Sequence, residues 1–560
     1  MFLEKKISEK IDNKIGMRIA VIALLILQLI VLFCYGNRKS GFHEDEFYSY
    51  YSTNKTAGLF VDDRQWQERD NFRNDFVVLE GEQFRYDVVK QMQSWDVHPP
   101  LYYYLLHTVC SLFPGVFSKW LGISVNLVGF VLSFFLLFYL VWSCIRTGES
   151  DIRDVRQEQR NPLRAWYFAF AVCLFWGFSA AVISGVMFIR MYQWLTVFVL
   201  ACACLHIKAL KEEKFGSSFF IPLGIVVFLG FLTQYYYIIF HFFLGLSFCF
   251  LLLRRKKIKQ LLLYGVSCMA GFGCAVIYYP ASLSHIFRGY RGTEAVSEFS
   301  DVENTWDRLQ FFVGLFDDYI MNGTLSIFLL AICLLWITIS YKRKQKAVVE
   351  KACATAMKES GYPAAQLVGV LLFASLGYFF TVSKTALLLG ETSNRYQLPI
   401  YGILLFLIMY YLLVPIERFP KDRDVKIPAV LFLAVLLLLD VMALRENKVF
   451  FLYEEEAPMM EVVKENEETS VIVFYNEASA DHVWWISDQL MEFSKVYFAS
   501  QGNADLITDP IITESEKLLV YVADYEDPKK CLENLLVCNK QLTGYNEIGK
   551  KKLWTLYEVE

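Results

Sequence analysis

Met17-Arg-Ile-Ala-Val-Ile-Ala-Leu-Leu-Ile-Leu-Gln-Leu-Ile-Val-Leu-Phe-Cys-Tyr-Gly36 is an apolar stretch, closely followed by Gly41-Phe-His-Glu-Asp-Glu-Phe-Tyr-Ser-Tyr50. A helix of about 20 apolar residues crosses the hydrocarbon core of a bilayer. Lys5, Lys6, Lys10 and Lys14 precede the stretch and no small-x-small cleavage site follows it, so it reads as a retained first helix starting in the cytoplasm. The acidic pair Asp45-Glu46 then stands next to a membrane surface. Ionisable groups are costly to hold there, and they make most sense where a proton is taken from a substrate.

Apolar runs of similar length recur along the chain: Trp120 to Ile145, Ala165 to Gly185, Met191 to Ile207, Phe219 to Thr233 and Tyr235 to Leu253. They continue with Leu261 to Tyr279, Thr324 to Tyr341, Ala364 to Val382, Tyr396 to Val414 and Pro428 to Leu444. With the first helix the expectation is a polytopic α-helical membrane protein of about eleven spans. A composition that is 55% hydrophobic, with a mean hydropathy of +0.35, agrees. The connectors Arg146 to Arg164, Leu253 to Gln260, Tyr341 to Lys346 and Arg418 to Lys426 are rich in Lys and Arg, and all fall on the cytoplasmic side of that count. Pro99 to Pro114 is apolar but too short to span and carries His107; it reads as a juxtamembrane helix begun by prolines.

An odd number of spans places the loop 37–119, the loop Pro280 to Gly323 and everything after Leu444 outside the cell. The expected division is therefore a transmembrane domain over 1–452 and a small extracytoplasmic α/β domain over 453–560. In the latter, Ser470 to Tyr475, Lys517 to Ala523 and Lys552 to Val559 read as strands, and Asp481 to Phe493 and Pro528 to Cys538 as helices. A net charge of −4 gives no basic footprint for a nucleic acid. Most of the thirteen cysteines lie inside apolar runs, as small core residues do, and no CxxC or zinc-spaced cluster occurs. Neither a GxxxxGK[ST] loop nor a GxGxxG turn is present to hold a soluble nucleotide.

Topology gathers the polar candidates onto one surface: Asp45, Glu46, His98, Arg190, Tyr192, Gln234, Tyr235, Arg288, Arg395 and Tyr396 all fall at outer helix ends or in outer loops. Adjacent residues point to different faces, so one carboxylate is the base; Asp45 is assigned that role and Glu46 that of orienting the site. Arg190 and Arg395 offer planar forks of donors that match phosphate oxygens, although arginine at a helix end also snorkels without any function. His98, in Asp96-Val-His-Pro-Pro100, is placed to bond a substrate or the acidic loop, or to serve as a helix-cap partner. The tyrosines after Gln234 could stack on a sugar, and interfacial tyrosines are expected in any case. Asp317 and Asp318 are expected to cap a short outer helix.

Taken in order, Asp45-Glu46, Asp96-Val-His-Pro-Pro100, Arg190-Met-Tyr192, Leu232-Thr-Gln-Tyr-Tyr236 and Arg395-Tyr396 resemble the motifs of the GT-C class of membrane glycosyltransferases. The likeness is to the protein O-mannosyltransferase-like and aminoarabinose-transferase-like bacterial enzymes of glycosyltransferase family 39 type. That resemblance implies a multi-pass protein of the bacterial plasma membrane that passes a sugar, with inversion, from a polyprenyl-phosphate donor to an acceptor hydroxyl. It implies Asp45 as catalytic base and Arg190 and Arg395 beside the donor phosphate. Family members often carry a histidine where Gln234 stands, so no proton-carrying role is implied there, and the resemblance ends before Tyr453. The acceptor classes it leaves open are a secreted protein, a wall polymer and a lipid-linked glycan. No cofactor is required; a divalent metal is compatible, with no metal ligands assigned. Competing readings are a transporter or flippase for lipid-linked sugars and a non-catalytic assembly or sensor protein. Transport sites tend to use broken helices at the bilayer midplane.

Overall fold

The computed structural model describes residues 2–55, 62–146, 155–347, 364–417, 423–446, 448–501, 507–524 and 528–560. Each of the eleven apolar runs coincides with helix. Phe2–Arg38, Lys119–Ile145, Tyr192–Glu212, Tyr237–Arg254, Ile258–Tyr278 and Ala364–Thr385 contain spans that qualify singly by length and composition. Three further spans qualify as bent pairs, among them Pro162–Phe178 with Ala180–Met187, and Ser217–Thr233 is a shorter apolar helix. Leu398–Glu417 and Arg423–Arg445 complete the series. The chain is thus a multi-pass helical membrane protein with a small sheet at its C-terminal end. Of the charged connectors, residues 147–154 and 418–422 lie outside the described residues.

The expected single span Ala165 to Gly185 is broken at Ser179, whose backbone is extended (φ −66°, ψ 143°), and its two halves meet at 59°. The break turns the second half so that Phe188 to Met191 crosses beneath the acidic segment. Asn126 holds this turn from the neighbouring helix, its side-chain amide donating to the carbonyls of Val186 (3.1 Å) and Phe188 (2.6 Å). Asp317 belongs to a π-helical turn, Asp317–Met321, and its Oδ1 accepts from Leu325 N at 2.9 Å, so it caps the next long helix rather than a short one.

The sheet has six strands: β1 (Gln65–Glu68), β2 (Val471–Tyr475), β3 (Lys495–Ser500), β4 (Leu518–Ala523), β5 (Tyr545–Lys551) and β6 (Trp554–Val559), in the order β1-β3-β2-β4-β6-β5. The central β3, β2 and β4 are parallel and β1, β6 and β5 antiparallel additions. Continuous apolar runs suit β2 and β4, which are buried along their whole length as central parallel strands are. Three strands escape the sequence pattern. β1 is polar and comes from the first loop, β5 reads Tyr-Asn-Glu-Ile-Gly-Lys-Lys, and β3 follows a segment expected to be helical through Phe493, where the chain instead forms a 3-10 stretch, Glu477–Ile486, and one helical turn, Ser487–Leu490.

Two buried ion clusters fasten the sheet to the helices. Lys551 Nζ lies 2.7 Å from both Asp488 Oδ2 and Glu456 Oε2, and Lys39 Nζ lies 2.9 Å from Glu46 Oε2 while donating to the Phe451 carbonyl at 2.6 Å. Gly41 is required here by close approach, because a Cβ would collide with the Glu456 carboxylate.

Candidate active site

The helix Glu44–Asn54 begins with a reciprocal cap. His43 Nδ1 accepts from Asp45 N at 3.1 Å, and Glu46 Oε2 accepts from His43 N at 2.7 Å. Glu46 is fully buried, and its oxygens are taken by Lys39, His43 N and, at 2.8 Å, Ile189 N. It therefore locks the helix start to the turn after the broken span and has no oxygen left to offer a substrate. Asp45, its neighbour, faces the other way.

Asp45 retains 28% side-chain exposure and stands between two nearly buried guanidinium groups, with Oδ1 3.9 Å from Arg190 Nη2 and Oδ2 3.5 Å from Arg395 Nη2. Burial alone would favour the neutral acid. Arg190 and Arg395 outweigh it and hold the carboxyl below its ordinary range. Burial brings His43 down to about 3, so its ring is neutral and keeps the lone pair the helix cap needs.

Arg190 is fixed from several directions. Its Nη1 donates to Tyr103 Oη (2.9 Å), Ser49 Oγ (3.2 Å) and the Asp45 carbonyl (3.3 Å), and its Nη2 lies 3.1 Å from His98 Nε2. Because guanidinium can only donate, His98 Nε2 accepts; its Nδ1 then carries the proton and donates to Asp96 Oδ2 at 2.8 Å. Against the effect of burial, His98 and Arg190 hold the Asp96 carboxyl below its usual range. Asp96, His98 and Arg190 form one relay leading to Asp45.

Arg395 is held differently. Its guanidinium lies over the rings of Tyr396 (5.0 Å), Phe188 (5.1 Å) and Tyr192 (5.9 Å), and Nη2 donates to Tyr396 Oη at 3.3 Å. Its Nε and Nη1 are buried with no hydrogen-bond partner. Unmet donors on a buried cation are groups that an anion could satisfy.

No protein-family model matches the sequence, and no curated protein sequence does. Solved structures similar to it include ArnT from Cupriavidus metallidurans bound to undecaprenyl phosphate (10% identity, TM-score 0.48) and the same protein in the apo state (11%, 0.46). Each similarity covers 96% of this chain and 97% of that one.

Of the residues expected from sequence, Asp45, His98, Arg190, Tyr192, Arg395 and Tyr396 come together. Gln234 and Tyr235 stand apart from Asp45: Gln234 Oε1 accepts from Tyr235 N, and Tyr235 Oη bonds His285 Nδ1 at 2.9 Å. Tyr236, the next residue, is the one whose ring meets Tyr396, at 5.9 Å. Arg288 is exposed and makes no contact with the cluster. Sequence reasoning missed Tyr103, Ser49 and Phe188. Ser49 sits one helical turn after Asp45, and that spacing is the signal that could have found it; Tyr103 lies in the aromatic tail of the Asp96–Pro100 motif. Among the described residues no group of three or more His, Cys, Asp or Glu side chains is arranged to hold a metal ion.

Proposed function

We propose that this protein transfers a sugar from a polyprenyl-phosphate donor to an acceptor hydroxyl at the outer membrane surface, with inversion and with Asp45 as general base. One observation carries the reading: a partly exposed carboxylate is paired to two buried guanidinium groups, and three of their nitrogens, Nε and Nη1 of Arg395 and Nε of Arg190, have no hydrogen-bond partner. Lipid-phosphate leaving groups need positive charge at the oxygen that departs, and preorganised arginines supply it without reorganisation.

The same arrangement accounts for timing. Before the donor arrives, Arg190 and Arg395 neutralise Asp45 and keep it a weak base. A phosphate diester drawn onto the unmet N–H groups of Arg395 competes for that positive charge, so the carboxylate becomes more basic when there is a substrate to act on. The acceptor hydroxyl gives its proton to Asp45 and its oxygen attacks the anomeric carbon; the bond to the phosphate oxygen breaks on the opposite side, which inverts the configuration. Tyr48, one helical turn beyond Asp45 and exposed at its edge, rests on Trp484 of the sheet domain (ring centroids 4.8 Å) and lines the approach for the acceptor.

The test is to incubate purified protein with radiolabelled polyprenyl-phosphate sugars and membrane acceptor fractions. Carrier-dependent label on an acceptor supports transfer. Label that crosses a vesicle without leaving its carrier would replace it with transport, and no change in the label at all would overturn both.

A further inference from the structure

Between the helices Ile258–Tyr278 and Leu325–Ala347 the chain forms Ala281–Phe287, Tyr290–Ser300 and Thr305–Phe316. Tyr290–Ser300 contains no buried residue. Phe287, Val296, Phe299, Val302 and Trp306 are between 48% and 81% exposed, a density of uncovered large apolar side chains that scattered surface residues do not reach. At 100° per residue Gly292, Ala295, Val296 and Phe299 share one arc of Tyr290–Ser300, while Thr293, Glu294, Ser297 and Ser300 lie on the other.

Two geometric facts bear on what covers this face. The segment starts with only Tyr279 and Pro280 separating it from the end of one span, and Thr305–Met321 is bent by 91° from Leu325–Thr338, so the two cannot both run along the bilayer normal. The segment also adjoins the spans: Tyr290–Ser300 packs on Ala364–Thr385, which exposes Leu376 and Phe380, and Met269 and Ile277 are exposed on the span before it.

We propose that 281–316 is an in-plane membrane anchor whose partner is the bilayer interface, with Val296, Phe299, Val302 and Trp306 seated among the upper acyl carbons and the polar arc among headgroups. The anchor is wired to the start of the loop that leads to Arg395. Arg308 Nε donates to the Ser383 carbonyl at 2.9 Å and its Nη2 to that of Ala386; Lys384 Nζ bonds the Asp301 carbonyl, Asn304 Oδ1 and, at 3.0 Å, Thr305 Oγ1.

The test places the photo-reactive residue benzoylphenylalanine at Phe299, Val302 or Trp306, and separately at Thr293 or Ser297, in full-length protein. Each variant is reconstituted in vesicles of phosphatidylethanolamine and phosphatidylglycerol with tritiated acyl chains. After irradiation the first three positions carry roughly tenfold more lipid label than the last two, as a face immersed in acyl chains requires. Equal labelling at both sets would overturn the proposal, and so would protein dimers in place of lipid adducts at Val302, which would make a second copy the partner. Neither outcome depends on whether the protein transfers sugar.

Discussion

Replacing Asp45 by asparagine separates two roles that one carboxylate could play. At 3.5 and 3.9 Å from the two guanidinium groups, the direct attraction is about 4–5 kcal/mol for each pair at an effective dielectric of ~20. Desolvation of the ions offsets most of it, leaving a net near 1 kcal/mol. Asparagine keeps the shape and frees the arginines, so Asp45→Asn is expected to bind the donor roughly fivefold more tightly, the equivalent of that 1 kcal/mol. Loss of a general base costs about 10²–10⁴ in rate. The assay is paired: donor affinity by titration in detergent, and sugar transfer at saturating donor, with thermal unfolding to show the variant folds. Transfer near the wild-type rate by a folded Asp45→Asn protein would refute the base, and donor binding made much weaker would refute the competition between carboxylate and phosphate.

Arg395→Ala removes the unmet donors and should weaken donor binding by about 1.5–3 kcal/mol, with Arg395→Lys restoring little because an ammonium cannot present a planar fork; unchanged affinity in either would count against the phosphate role. Glu46→Gln removes the ion-pair partner of the buried Lys39 and should lower stability by about 3–5 kcal/mol, read as a drop in Tm, whereas a variant as stable as the parent would show that the pair is dispensable. The folded protein disfavours protonated His43, so its contribution to stability is complete above pH 6.5 and diminishes as pH falls toward about 3. His43→Asn, which can still cap the helix, should lose that part of the acid sensitivity; identical pH profiles for the two proteins would dismiss it. His98→Phe breaks the relay from Asp96 to Arg190 and should reduce transfer more than donor binding, which a simple loss of packing would not do.

The helical layer was legible because its signal is long and redundant: twenty apolar residues admit few other readings, and every run became helix. What the runs could not reveal was the break at Ser179, since a single extended residue in an apolar series leaves hydropathy unchanged. The sheet was half legible. β2 and β4 are apolar because both faces are covered, whereas β1 and β5 lie at the edges, where polar side chains face water and mimic loop. In the site, charged residues at helix ends were expected on one surface and several of them do come together, yet only the folded chain distinguishes the saturated Glu46 from the accessible Asp45. Arg395 and Arg190 look alike in sequence; aromatic packing on one and a hydrogen-bonded relay on the other make them different instruments.

The edge strand β1 carries a cost in time. Trp66 reaches across to Asp509, 443 residues away, so the segment near residue 65 emerges from the ribosome long before the strand it must pair with exists. At about 5–20 residues per second the wait is roughly 20–90 s. Throughout it, the loop that also carries the helix of Asp45 has to be kept from pairing with anything else, and a fragment beginning at Tyr453 would meet the mirror-image problem, an open β3 edge ready to recruit a stranger.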